Sequence, residues 1–133
     1  MPSDDRDPRT VDIHGKTFGA TGNSEGGEVD PATRFRYHQE GHTVWADYAG
    51  GAIARGYLVG TRTGDRLDFR YVHLNSTGTT AAGRCTSRIT VLDDGRVRME
   101  EEWTWESRPG SGRSAVEQDE SGDGDPFTAR PSR

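Results

Sequence analysis

Glu101 sits in phase with Val97, Met99, Trp103, Trp105 and Ser107, every second residue of one stretch, whereas Arg98, Glu100, Glu102, Thr104 and Glu106 fill the positions between. Alternation at a period of two marks a half-buried strand, because successive side chains point to opposite faces of the sheet. A carboxyl group on the apolar face is costly to ionise unless it has a partner. Burial beside Met99 and Trp103 predicts a raised pKa, which suits a general acid or base near neutrality. The plain alternative is a structural glutamate bonded to a buried tyrosine or paired with an arginine.

The same parity argument sorts the neighbouring segments. Phe35, Tyr37 and Gln39 share one inward face, as do Val44, Ala46 and Tyr48, then Ala54, Gly56, Leu58 and Gly60. Leu67, Phe69, Tyr71 and His73 form a fourth such set, and Gly83, Cys85, Ser87 and Ile89 a fifth. The small residues of the 54–60 set are expected to leave room inside. The polar members of the inward list, with Ser114 as a further candidate, are many for a core. Aromatic walls with a few convergent polar groups are the usual make-up of a small-molecule site.

Glu101, His73 and Tyr71 are therefore the candidate acid–base groups, and Tyr37, Gln39, Tyr48, Phe69, Cys85, Ser87, Trp103 and Trp105 the candidate ligand contacts. Each has a blander reading. Taken singly, these groups satisfy one another in a small core, and the two tryptophans fill it. His73, near the end of its strand, is expected at a solvated mouth. Cys85 has no neighbouring motif that would activate it, so it reads as a small apolar residue rather than a nucleophile. No metal site is expected, since His14, His38, His42 and His73 are scattered and a pair at 38 and 42 would span a turn. No phosphate-binding glycine loop and no cofactor are implied, because the glycines at 22, 26, 27, 50 and 51 lack the strand-to-helix context.

Turn dipeptides separate the segments that carry these residues: Glu40-Gly41, Gly50-Gly51, Thr63-Gly64, Thr77-Gly78, Asp94-Gly95 and Pro109-Gly110. Asp94-Gly95 is the strongest, as a tight hairpin turn needs positive φ. Between them lie strands expected near 10–20, 33–40, 42–49, 52–62, 66–75, 79–92, 96–107 and 111–118. No stretch has helical periodicity. Eight strands joined mostly by hairpins remove their edges most simply by closing, so the expected fold is all-β, an eight-stranded antiparallel up-and-down barrel. Such a barrel is just wide enough to be filled by side chains or to hold one small ligand. The long connection from Gly22 to Ala32 is a candidate mobile flap over one mouth.

Composition narrows the function classes. The chain has 133 residues, of which 29% are hydrophobic, and a formal net charge of −5. Residues 1–9 and 119–133 read as polar, disordered tails around one barrel domain at 10–118. No basic stripe is present, so nucleic acid is not an expected partner. No long apolar run points to a membrane, and one cysteine with no possible internal disulfide fits a cytoplasmic setting. Lys16 is the one lysine among 17 basic residues, a bias typical of high-GC coding.

The stretch Phe35 to Gly60, with Tyr37-x-Gln39-x-Gly41, Tyr48-x-Gly50-Gly51 and Gly56-x-Leu58-x-Gly60, resembles a family of small bacterial avidin-like, calycin-type barrels. Phe69-Arg70-Tyr71, Gly83-x-Cys85, Trp103-x-Trp105 and Gly112-Arg113-Ser114 extend the resemblance over roughly residues 12–118. Many such proteins carry the label N-acetylglutamate synthase. An acetyltransferase of the usual kind needs a mixed α/β fold and a glycine loop at a helix start for the coenzyme A pyrophosphate, and neither is legible here. The resemblance implies the barrel. Calycin-like barrels include passive carriers, and similar closed barrels in actinobacterial biosynthetic pathways act as cyclases or isomerases on a folded substrate.

The leading expectation is a barrel that binds one small, largely hydrophobic molecule in its lumen, walled by Trp103, Trp105, Tyr37, Tyr48 and Tyr71, with Glu101 and His73 as polar anchors. A cofactor-independent cyclase or isomerase using Glu101 to move a proton is the alternative. A filled barrel with a structural or protein-interaction role is the third reading, and a homo-oligomer is compatible with all three.

Overall fold

A computed structural model describes residues 6–23 and 26–119 of the chain. Eight strands follow one another: β1 (Thr17–Asn23), β2 (Arg34–Glu40), β3 (Thr43–Gly50), β4 (Ile53–Thr63), β5 (Arg66–Asn75), β6 (Thr80–Val91), β7 (Val97–Trp105) and β8 (Ser111–Gln118). Each pairs antiparallel with the next, and β1 closes on β8 through pairs such as Phe18 with Gln118 and Ala20 with Val116. The barrel is closed and all-β, so neither end of the meander is left as an exposed edge.

The strand periodicity converts directly into burial. Along β7, Val97, Met99, Glu101, Trp103 and Trp105 are buried and alternate with Arg98, Glu100, Glu102 and Thr104 on the outside. β6 does the same with Ala81, Gly83, Cys85, Ser87 and Ile89. Positive φ at Gly95 (89°) and Gly64 (60°) closes the hairpins that the Asp94-Gly95 and Thr63-Gly64 dipeptides announced.

The first strand departs from expectation. The strand begins at Thr17, not at residue 10, and extends to Asn23, so Gly22 and Asn23 belong to β1 rather than to the long connection. Val11 and Ile13 are buried as a sequence alternation would require, but they belong to a turn-bearing segment in which Gly15 adopts a φ of 76°. This segment underlies the end of the barrel carrying the β2–β3 and β4–β5 turns. Arg62, itself buried, donates to Val11 O at 2.7 Å, Gly64 O at 2.8 Å, Gln39 Oε1 at 3.1 Å and Pro8 O at 3.3 Å. Asp7 carries a turn through bonds from the Thr10 and Val11 amides, so ordered backbone begins before residue 10. Residues 1–5 and 120–133 of the two expected tails lie outside the described residues, as do 24 and 25 of the expected flap.

Two inward assignments on β4 need correction. A bulge between Ile53 and Arg55 shifts the register, so Ile53 is buried and Ala54 exposed, the reverse of strict alternation. The inward glycines do not enlarge the lumen either. A β-carbon at Gly56 would overlap the Tyr48 ring, and one at Gly83 would overlap the Tyr71 ring and Thr104 O. Each glycine is a seat into which a tyrosine from the adjoining strand is pressed.

Candidate functional site

The barrel's other end, ringed by the β1–β2, β3–β4, β5–β6 and β7–β8 connections, opens into the lumen. There a cavity is lined by Phe35, Tyr48, Leu58, Phe69, Tyr71, His73, Cys85, Glu101, Trp103, Trp105 and Ser114, with Gly27, Glu28 and Val29 over its mouth. The cavity has a volume of about 50 Å³, room for a few water-sized groups before any wall moves.

At the deep end stands Glu101, supplied by the inward phase of β7. Ser114 Oγ from β8 donates to Glu101 Oε1 at 2.8 Å, and Ser87 Oγ from β6 donates to Oε2 at 3.4 Å. No arginine or tyrosine is bonded to this carboxyl among the described residues, so two hydroxyls take the place of either expected structural partner. Burial pushes its pKa up to about 7, and the two serine hydrogen bonds recover only part of the cost.

Tyr37 stands near this carboxyl. It is fully buried, packed edge-on against Phe18 with centroids 5.3 Å apart, and its Oη has no hydrogen-bond partner among the described residues. Burial, with the charges of Glu101 and Cys85 behind it, holds its phenol well above the ordinary value. A buried hydroxyl without a partner is uncommon in a settled core. Cys85 lines the same cavity, its Sγ 3.8 Å from Ser87 Oγ, and burial first and Glu101 second push its thiol far up, into the unreactive range.

At the mouth the arrangement differs from the sequence expectation. His73 is buried, not solvated: its side chain is 2% exposed. Nδ1 lies 2.9 Å from Tyr48 Oη and Nε2 lies 2.8 Å from Glu28 Oε1. A carboxylate only accepts, so Nε2 carries a proton towards Glu28, and Nδ1 faces the Tyr48 hydroxyl. Glu28 also accepts from Asn75 Nδ2 at 3.4 Å and Arg108 Nη2 at 3.3 Å. Burial alone would raise the Glu28 pKa, but these hydrogen bonds and the His73 charge outweigh it and hold it below the ordinary value.

Aromatic packing joins the two ends. Phe35 stacks on Tyr48 with centroids 4.7 Å apart, Tyr71 on His73 at 6.2 Å, and Trp105 meets Tyr71 and His73 edge-on, each at 5.8 Å. Trp103 is 5.5 Å from Trp105. The loop is tied down a second time where Trp105 Nε1 donates to Gly26 O at 3.3 Å, and the Arg108 guanidinium caps the same indole at 4.3 Å.

Of the residues singled out from the sequence, Tyr48, Phe69, Tyr71, His73, Cys85, Glu101, Trp103, Trp105 and Ser114 line the one cavity, and Ser87 reaches it through Glu101. Tyr37 belongs to the core behind it. Gln39 does not belong to the site: β2 carries it to the opposite end, where its side chain accepts from Arg62 and donates to Gly41 O. Of the scattered histidines, His14 and His38 meet edge-on with ring centroids 5.8 Å apart, while His14 Nδ1 accepts the Gln39 amide and His42 Nδ1 faces Arg62 O. No group of three potential metal ligands occurs among the described residues. Sequence reading missed Glu28, whose glycine-rich, acidic surroundings carry no strand phase to mark it.

A closed antiparallel barrel with an aromatic-lined lumen and one open mouth is a calycin-type architecture. Within that class the comparison is specific: the avidin-like protein family matches residues 11–119, and the chain belongs to it. No curated protein and no solved structure matches.

Proposed function

We propose that the protein binds one small, largely hydrophobic molecule in its lumen, held between Phe35, Phe69, Tyr71, Trp103 and Trp105. The observation that carries this reading is Glu101, a buried carboxyl group with only two hydroxyl partners facing an aromatic-walled cavity. A barrel that was only structural would gain from filling that space with an apolar side chain. Native mass spectrometry of the purified protein, followed by denaturation and identification of the released molecule, tests it. A stoichiometric small molecule supports the reading; an empty protein that takes up no aromatic metabolites overturns it.

One observation favours conversion as well as binding. A carboxyl group titrating near neutrality can give and take a proton within one turnover. The second reading is a cofactor-independent cyclase or isomerase in which Glu101 moves the proton and the rings hold the substrate in a reactive shape. Glu101→Gln would then abolish turnover and leave substrate bound, whereas a carrier would show only a changed affinity.

Tyr57, Val59, Val72 and Leu74 form an exposed apolar band on the outer face of β4 and β5. The band supports a homo-oligomer, and light scattering on a size-exclusion column measures it directly. The lone buried thiol supports a reducing, cytoplasmic setting.

A further inference from the structure

Charge, rather than size alone, selects the occupant of this cavity. Glu28 and Glu101 are the carboxylates among the residues lining it, and the arginine that meets either of them, Arg108, bonds Glu28 from outside the lining. They are not equivalent. Glu28 at the rim is already engaged by His73, Asn75 and Arg108. Glu101 is buried at the floor, where Ser87 and Ser114 offer only hydroxyls. An anion placed there would meet a carboxylate at close range, which repels negative charge.

Resting on the lumen-binding reading above, we infer that the ligand is a small organic cation, an aryl or alkyl ammonium whose N–H groups point to Glu101 while its apolar body lies against Trp103, Trp105 and Tyr71. Two features converge on this. The carboxylate at the floor has oxygens able to accept more than its two serine bonds supply. The aromatic rings that line the same cavity attract a cation placed over a face, an attraction that grows when water is excluded. No covalent step is needed, as the ammonium enters protonated and stays so.

Isothermal titration calorimetry at pH 8 with three probes of matched size, benzylammonium, benzyl alcohol and benzoate, separates the outcomes. The expected result is saturable binding of benzylammonium at least ten-fold tighter than benzyl alcohol, with no binding of benzoate, and loss of that preference in Glu101→Gln. Urea unfolding of the variant confirms that it folds. Equal affinity for the alcohol, a preference for benzoate, or a preference for the ammonium that survives Glu101→Gln overturns the cation assignment while leaving lumen binding intact. Binding of none of the three overturns both readings together.

Discussion

His73 Nε2 and Glu28 Oε1 lie 2.8 Å apart, and that bond joins the wall of the barrel to the loop over its mouth. It forms at a buried site and continues through His73 Nδ1 to Tyr48 Oη, so the loop's position is communicated to a ring that lines the cavity. The loop is thus fixed by polar geometry and by the Trp105–Gly26 bond.

Glu28→Gln should loosen this loop without unfolding the barrel. The His73 bond would lose its charge assistance, a change of about 1–2 kcal/mol. Amide hydrogen exchange at Gly27 to Val29 should quicken roughly ten-fold in proportion to that loss, while exchange in β6 and β7 stays unchanged. Because the Glu28 pKa is depressed on folding, its contribution is present above the ordinary glutamate value and fades as pH falls through the folded one. Wild-type loop protection should therefore fall on acidification and that of the variant should change less.

Glu101 predicts the opposite pH dependence. Its folded pKa of about 7 is above the ordinary glutamate value of 4.5, so the folded state retains a proton that the unfolded chain has released. Stability should decline as pH rises between those two values, by about 3 kcal/mol in all. Glu101→Gln removes this decline, and urea unfolding at pH 5 and pH 8.5 should show the variant gaining on wild type only at the higher pH.

Tyr37→Phe separates stability from binding. Its hydroxyl is buried without a partner among the described residues, so deleting it should leave the unfolding midpoint equal or raise it, by up to about 1 kcal/mol. Calorimetric affinity for benzylammonium should stay unchanged, because Tyr37 belongs to the core behind the cavity and does not line it.

Gly56→Ala tests the tyrosine seats. The added methyl would overlap the Tyr48 ring, and relieving the clash should cost about 1–3 kcal/mol as the ring shifts. Displacing Tyr48 also breaks its bond to His73, so the variant should combine a lower melting temperature with faster exchange at the loop.

The strands and the centre of the site were legible because both follow from a period of two. Glu101, Trp103 and Trp105 were placed on one inward face by phase alone, and the fold agrees. The strand expected from residue 10 begins only at Thr17: Val11 and Ile13, two buried residues separated by a polar one, fit a strand pattern, yet they belong to a turn-bearing segment under the barrel. Ala54 was misplaced by a bulge, which breaks phase without a distinctive residue. Gln39 kept its inward phase but is too far along β2, since parity specifies a face and not a height within the lumen. Glu28 had no phase at all, and its partnership with His73 depends on a loop folding back across 45 residues of sequence.

The segment under the barrel gives the lumen a direction. With Arg62 binding Val11 O and Pro8 O across one end, a ligand held as proposed would enter and leave past the Glu28 side. A change that only eases that passage would multiply both rate constants by the same factor and leave their ratio untouched. The loop would then scale residence time at constant affinity, whereas the floor would move affinity and residence time together.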